Sequence, residues 1–265
     1  MQNRNHKAGF TLVELSVVIL IIGLIIGGIF TGQSLLRASK LQAIISDYER
    51  FNTAVNGFYL KYSALPGDMR NAQTIWGAAA DCSSAQTSAA TCNGNGNGTL
   101  ENWVTAGAVG NELFLFWKHL ANAGFIQGSF SGVTGGSNEY SATANNTPGG
   151  KFNGSLWNVG WWSPLSGETW AFDGIYDHLF IFGLETVNNN PASSVITPAE
   201  MWAMDTKIDD GKPGTGNLRT MLGSYVCAKK ADGITAATSG DAQTAIYDTD
   251  SSNIQCVLLF PNLFK

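Results

Sequence analysis

From Phe10 to Phe30 the chain reads FTLVELSVVILIIGLIIGGIF, 21 residues with one charge among them, Glu14. At about 1.5 Å per residue this run makes a helix of roughly 30 Å, the thickness of a bilayer's hydrocarbon core. Glu14 falls about 6 Å into a helix that starts at Phe10. A carboxylate in hydrocarbon costs on the order of 2.5 to 3.5 kcal/mol at the centre and less near an end. An acid in that place marks a function and needs a partner. A short polar leader with Arg4, His6 and Lys7 precedes the run, ending at Gly9.

Three ordinary readings leave a feature unexplained. A secretory signal has an apolar core of about 7 to 15 residues and a small-residue cut site behind it; this run is longer and carries an acid near its start. A plain membrane anchor accounts for the length but not for Glu14. A buried core helix has no need of a basic leader.

The pattern K-x-G-F-T-L-x-E followed by an apolar run, Lys7 to Glu14, resembles the N-terminal signature of the type IV pilin and type II secretion pseudopilin superfamily. The resemblance covers about the first fifth of the chain. It implies that a prepilin peptidase cuts between Gly9 and Phe10, that Phe10 becomes the N-methylated first residue, and that Glu14 is the acid used in assembly. The physical logic stands on its own. Cleavage creates an α-amino cation, with an ordinary pKa near 7.7 to 8, and methylation leaves it charged. In a bundle of helices staggered by one subunit, the Glu14 carboxylate of one chain meets the Phe10 cation of its neighbour. That pairing sets the axial register, because one partner left alone would cost several kcal/mol.

The 265 residues, 44% of them apolar, suffice for one sizeable domain beyond the helix. Net charge is −5 and becomes −7 without Arg4 and Lys7, which is no nucleic-acid footprint. The basic residues ahead of the run place that end in the cytoplasm and everything after about Phe30 outside it. Cys82, Cys92, Cys227 and Cys256 form an even set without C-x-x-C spacing, which fits disulfides in an oxidising compartment. Of the three pairings four cysteines allow, the local ones, Cys82 with Cys92 and Cys227 with Cys256, are preferred. The second resembles the C-terminal disulfide loop of many pilins.

Apolar residues continue at helical spacing through Leu41, Ile44, Tyr48, Phe51, Val55, Phe58 and Tyr62, predicting one helix from Phe10 to about Tyr62. Pro66-Gly67-Asp68 ends it. The low-complexity stretch 78–98 reads as an exposed loop pinched by Cys82 and Cys92. Asn111 caps a helix through ELFLFWKHLAN that Gly124 ends, and residues 128–155 read as a long loop or short hairpins. Strands are expected in SLWNVGWW, ETWAFDG, DHLFIFGLETV, GSYVCAK and IQCVLLF. Thr197, Pro198 and Glu200 start a further helix with a capping box. The expected fold is α+β, a long N-terminal helix packed on an antiparallel sheet. The divisions are a leader 1–9, an assembly helix 10–30, its amphipathic continuation 31–65 and an extracytoplasmic head 66–265.

Three further groups bear on function. Asp205, Asp209 and Asp210 offer oxygen ligands suited to calcium, and the pilin resemblance adds that some major pseudopilins hold calcium in a late loop, but they lack EF-hand spacing; a capped helix ending in an Asp-Gly turn is the preferred account of them. Trp157, Trp161, Trp162 and Trp170 form either a sugar-stacking face or core. His119 is a surface or internally satisfied histidine, and none of the common catalytic motifs occurs, so no enzyme is expected. The reading is a pilin or pseudopilin subunit without an obligatory cofactor, held in the inner membrane and polymerised into a type IV pilus or a secretion pseudopilus. Its implied partners are the prepilin peptidase, other pilin subunits, an assembly ATPase and its platform protein. The alternative is a minor tip pilin acting as an adhesin or glycan-binding module.

Overall fold

A computed structural model describes residues 11–86, 88–102, 110–162, 164–223, 226–261 and 263. Helix α1, Leu12–Tyr62, runs unbroken for 51 residues. By internal contacts the chain divides into two units, Met1–Ala43 and Ile44–Lys265. In the first, no described residue is buried, and the helix is long and apolar enough to cross a membrane. In the second, α1 turns amphipathic: Ile44, Phe51, Ala54, Val55 and Phe58 are buried along one stripe, the 3.6-residue period expected of a helix lying on a core. Ser63 adopts a positive φ of 51° and its N–H bonds to Tyr59 O at 2.8 Å, a left-handed stop that Pro66 makes final.

The core is a four-stranded antiparallel sheet, β1 (Ser155–Trp162), β2 (Asp177–Leu184), β3 (Arg219–Thr220) and β6 (Leu258–Phe260), in the order β1-β2-β6-β3. A small ribbon pairs β4 (Ala228–Lys229) with β5 (Ile246–Tyr247). The register places Trp157 opposite Phe182 and Phe180 opposite Phe260. Strand alternation puts these rings on one face, where they meet α1: Tyr48 stacks on Phe260 at 4.5 Å and Phe51 lies 5.5 Å from Trp157. The other face, with Leu179, Ile181 and Leu259, is covered by Ala171, Tyr176, Trp162 and Trp170. Both faces are buried, so β1 and β2 read as near-continuous apolar runs.

Helix α3, Glu112–Asn122, begins at Asn111, whose side chain accepts the Leu113 N–H at 3.2 Å. Every residue from Glu112 to Leu120 is buried, not only the apolar face. The glycine- and serine-rich segments on either side wrap the polar face. Lys118 Nζ donates to Ser88 O at 2.9 Å and Phe130 O at 3.2 Å. Within 128–155, Asn146 is fully buried and donates to Val133 O and Ser141 O while accepting from Thr143 N–H.

Three sequence expectations change. ETWAFDG is not a strand; residues 165–174 form a closed turn with Leu165 bridged to Gly174 and the Gly167 N–H bound by Asp173 Oδ1 at 2.7 Å. Its apolar residues point inward because they roof the sheet, which mimics strand alternation. In GSYVCAK only Ala228–Lys229 is a strand among the described residues. The stretch 78–98 is exposed only in part, since Cys82, Thr91 and Cys92 are buried against α3. Four short elements carried no sequence signal, α2 (Ala72–Trp76), β3, β5 and a 3-10 turn at Ser239–Asp241.

Candidate functional site

At the start of α1, Thr11 and Glu14 form a capping box. The Thr11 N–H and hydroxyl both donate to Glu14 Oε2 at 2.8 Å, and the Glu14 N–H returns to Thr11 Oγ1 at 3.3 Å. This places the carboxylate at the first turn, where the helix dipole favours negative charge. A carboxylate offers about four lone-pair sites, so two Thr11 donors leave room for a cation. The sequence reading singled out Glu14 and missed Thr11, although T-x-x-E ahead of an apolar run is the signal. Gly9 and Phe10 lie outside the described residues.

Cys82 is bonded to Cys92, and Cys227 to Cys256. The second bridge ties β6's approach to the segment before β4, next to the Val195 N–H bond to Cys256 O at 2.9 Å. Bridges of this kind are worth about 2 to 4 kcal/mol each.

The polar centre of the head lies where α3 meets the turn after α1. Gly67, at φ 91°, packs so closely that an added Cβ would lie 2.4 Å from Glu112 O, so only glycine fits. Its N–H donates to His119 Nδ1 at 3.0 Å. That fixes the tautomer: Nε2 carries the proton and faces Thr91 Oγ1 at 3.1 Å and Cys92 O at 3.2 Å. Burial holds the His119 imidazole neutral, down to about 3. Asp68 accepts from the N–H groups of Gly96, Asn97 and Gly98, an anion nest made by the NGNGNG run and filled by the chain's own carboxylate. Glu112 accepts from Asn95 N–H at 2.7 Å and Glu101 N–H at 2.9 Å. Burial outweighs those two bonds and pushes its carboxyl up to about 7. These groups are satisfied from within, so they organise the head and leave no reactive side chain open.

Asp205, Asp209 and Asp210 gather at the C-terminal end of α4 (Pro198–Ile208), each offering an oxygen within 4.8 Å of the others. Thr197 and Glu200 complete the capping box at the other end. Burial pushes Asp205 up to about 7, with Asp210 and Asp209 adding to it against the Tyr247 hydroxyl. Beside them opens a groove of about 490 Å³ lined by Trp202, Lys212, Gln243, Thr244, Ile246 and Tyr247.

The four tryptophans do not share an open face. Trp157 is fully buried, Trp162 and Trp170 pack edge to face at 4.7 Å over the sheet, and Trp161 alone is exposed, at 37%.

The family model of the prokaryotic N-terminal methylation motif matches residues 4–30. Those residues hold Gly9, Phe10, Thr11 and Glu14 and the apolar part of α1 up to Phe30. The chain therefore carries the signature of type IV pilins and pseudopilins at its N-terminus, followed by an α+β head. No curated protein and no solved structure matches the chain.

Proposed function

We propose that this chain is a type IV pilin-like structural subunit, cut between Gly9 and Phe10 by a prepilin peptidase, N-methylated at Phe10, and polymerised through α1. The observation that carries this is the methylation motif at residues 4–30 coinciding with a lone acid at the start of an apolar helix. Before assembly the helix crosses the inner membrane with its start in the cytoplasm and the head outside. In the polymer, Glu14 accepts the Phe10 ammonium of a neighbouring subunit, and Thr11 holds the carboxylate toward the helix start while it does so. The first-half side chains of α1, from Leu12 to Leu36, are exposed, and packing them against other such helices removes from water what the membrane otherwise shelters. An assembly ATPase acting through a platform protein would extract the subunit from the bilayer. A secretion pseudopilus and a pilus use the same chemistry.

The test is the mature N-terminus. Intact-protein mass spectrometry of material from cells with prepilin peptidase is expected to show a chain starting at methylated Phe10. A chain still starting at Met1 in those cells would overturn the proposal.

A further inference from the structure

We propose that Asn153 is the site at which this chain deamidates, and that Asp68 holds the NGNGNG run against the same reaction. Five Asn-Gly pairs occur, at Asn56, Asn93, Asn95, Asn97 and Asn153. In such a pair the glycine nitrogen can attack the asparagine Cγ, because glycine has no side chain to hinder the approach and turns freely into it. The N–Cγ bond forms, the Cγ–Nδ2 bond breaks, and Nδ2 leaves as ammonia with the proton of the backbone nitrogen. Water then opens the resulting succinimide at either carbonyl, giving aspartate or isoaspartate.

The five pairs differ in where the glycine N–H is spent. Gly57 lies inside α1, where the helix ladder takes it. The Gly94 N–H donates to Met69 O at 2.9 Å. Those of Gly96 and Gly98 both end on Asp68, the second on Oδ2 at 2.9 Å, and Asp68 is buried. A carboxylate, ordinarily titrating near 4, is far too weak a base to take an amide proton, so these bonds fix the nitrogens without activating them. The asparagine side chains of the run are engaged as well. Asn93 Oδ1 accepts the Gln73 N–H, Asn95 Oδ1 the Asn97 N–H and Asn97 Oδ1 the Thr99 N–H, each at 2.9 Å. Nor can the glycines be exchanged to remove the hazard: a Cβ on Gly94 would lie 2.3 Å from Gly67 O, and Gly96 and Gly98 hold φ of 67° and 87°.

Asn153 lacks all of these restraints. It and Gly154 are exposed at the corner of a turn that the Ser155 N–H closes on Phe152 O at 3.0 Å. Neither the Asn153 side chain nor the Gly154 N–H has a hydrogen-bond partner among the described residues. Beyond its chain neighbours, no atom stands within 4 Å of the place a Gly154 Cβ would take, so the ring has room to close.

The site does not depend on the assembly reading, and its failure leaves that reading untouched. The full chain in detergent micelles is held in warm, mildly alkaline buffer, with and without guanidinium chloride, and peptide mapping by mass spectrometry follows the conversion of each amide to acid. In the folded chain, conversion at Asn153 is expected to run at least about tenfold faster than at Asn93, Asn95 or Asn97; in the denaturant the four are expected to convert at comparable rates. A run that converts as fast as Asn153 when folded, or that stays slower by the same factor when unfolded, overturns the proposal. Asp68→Ala is expected to speed conversion at Asn95 and Asn97 at least about tenfold while Asn153 keeps its rate. Unchanged rates at Asn95 and Asn97 in the folded variant overturn the part given to Asp68. Should that variant fail to fold, the comparison of folded and unfolded parent chain decides alone.

Discussion

Glu112 and His119 lie on the same buried helix and pull stability in opposite directions with pH. The Glu112 carboxyl titrates near 7 in the folded chain against an ordinary 4.5, so the folded state holds the proton longer and stability falls as pH rises between the two values. The His119 imidazole titrates near 3 against 6.5, so the unfolded state takes the proton first and stability falls as pH drops below 6.5. Over about pH 5 to 6.5 the two contributions oppose each other. Glu112→Gln is therefore expected to lose more stability on acidification than the parent, and His119→Gln less, in denaturant melts across that range. Identical pH profiles in all three chains would contradict the assignment. Much at this scale was hidden in the sequence. His119 could be read as satisfied, but its partners, Gly67, Thr91 and Cys92, are 52, 28 and 27 residues away. The NGNGNG run reads as part of an exposed low-complexity loop, and only the buried Asp68 reveals that its N–H groups have a task. Glu14 was legible because an acid in an apolar run breaks a pattern.

Helices α3 and α4 were legible because each carries its own punctuation, Asn111 for α3 and Thr197 with Glu200 for α4, and α1 was legible from its long apolar run. Removing one such signal has a defined cost. Thr197→Ala leaves the Glu200 N–H without its acceptor and is expected to destabilise the head by about 1 kcal/mol in urea melts; an unchanged midpoint would contradict the cap's role. The strands β1 and β2 were visible as eight-residue apolar runs, whereas β3, β4 and β5 have two residues each. A two-residue strand has no period to detect and exists only because partners elsewhere hold it. The turn 165–174 failed for the converse reason, since burial over a sheet gave a loop the composition of a strand. The tryptophan positions lead to an expected outcome at this scale too: acrylamide should quench a minor share of the indole fluorescence. Quenching of most of it would contradict the burial of Trp157 and the packing of Trp162 on Trp170.

On the scale of the molecule, one helix serves two environments. Its first part, in the unit Met1–Ala43, exposes apolar side chains all round, and its second part, from Ile44, buries a single stripe in the head. A surface like the first is stable only in lipid or against other helices of the same kind. That is the physical content of the pilin reading, and it makes Glu14 the residue that distinguishes polymer from anchor. An anchor gains from that carboxylate only the cap it forms with Thr11, while a staggered bundle also gains a partner for every new amine. The most direct measurement is incorporation of Glu14→Ala into filaments beside the parent chain, scored in sheared fractions from cells with matched membrane levels. The account predicts that the variant reaches the membrane, is cleaved, and is depleted from filaments at least about tenfold, the effect of roughly 1.4 kcal/mol per contact. Incorporation at the parent's level would contradict it.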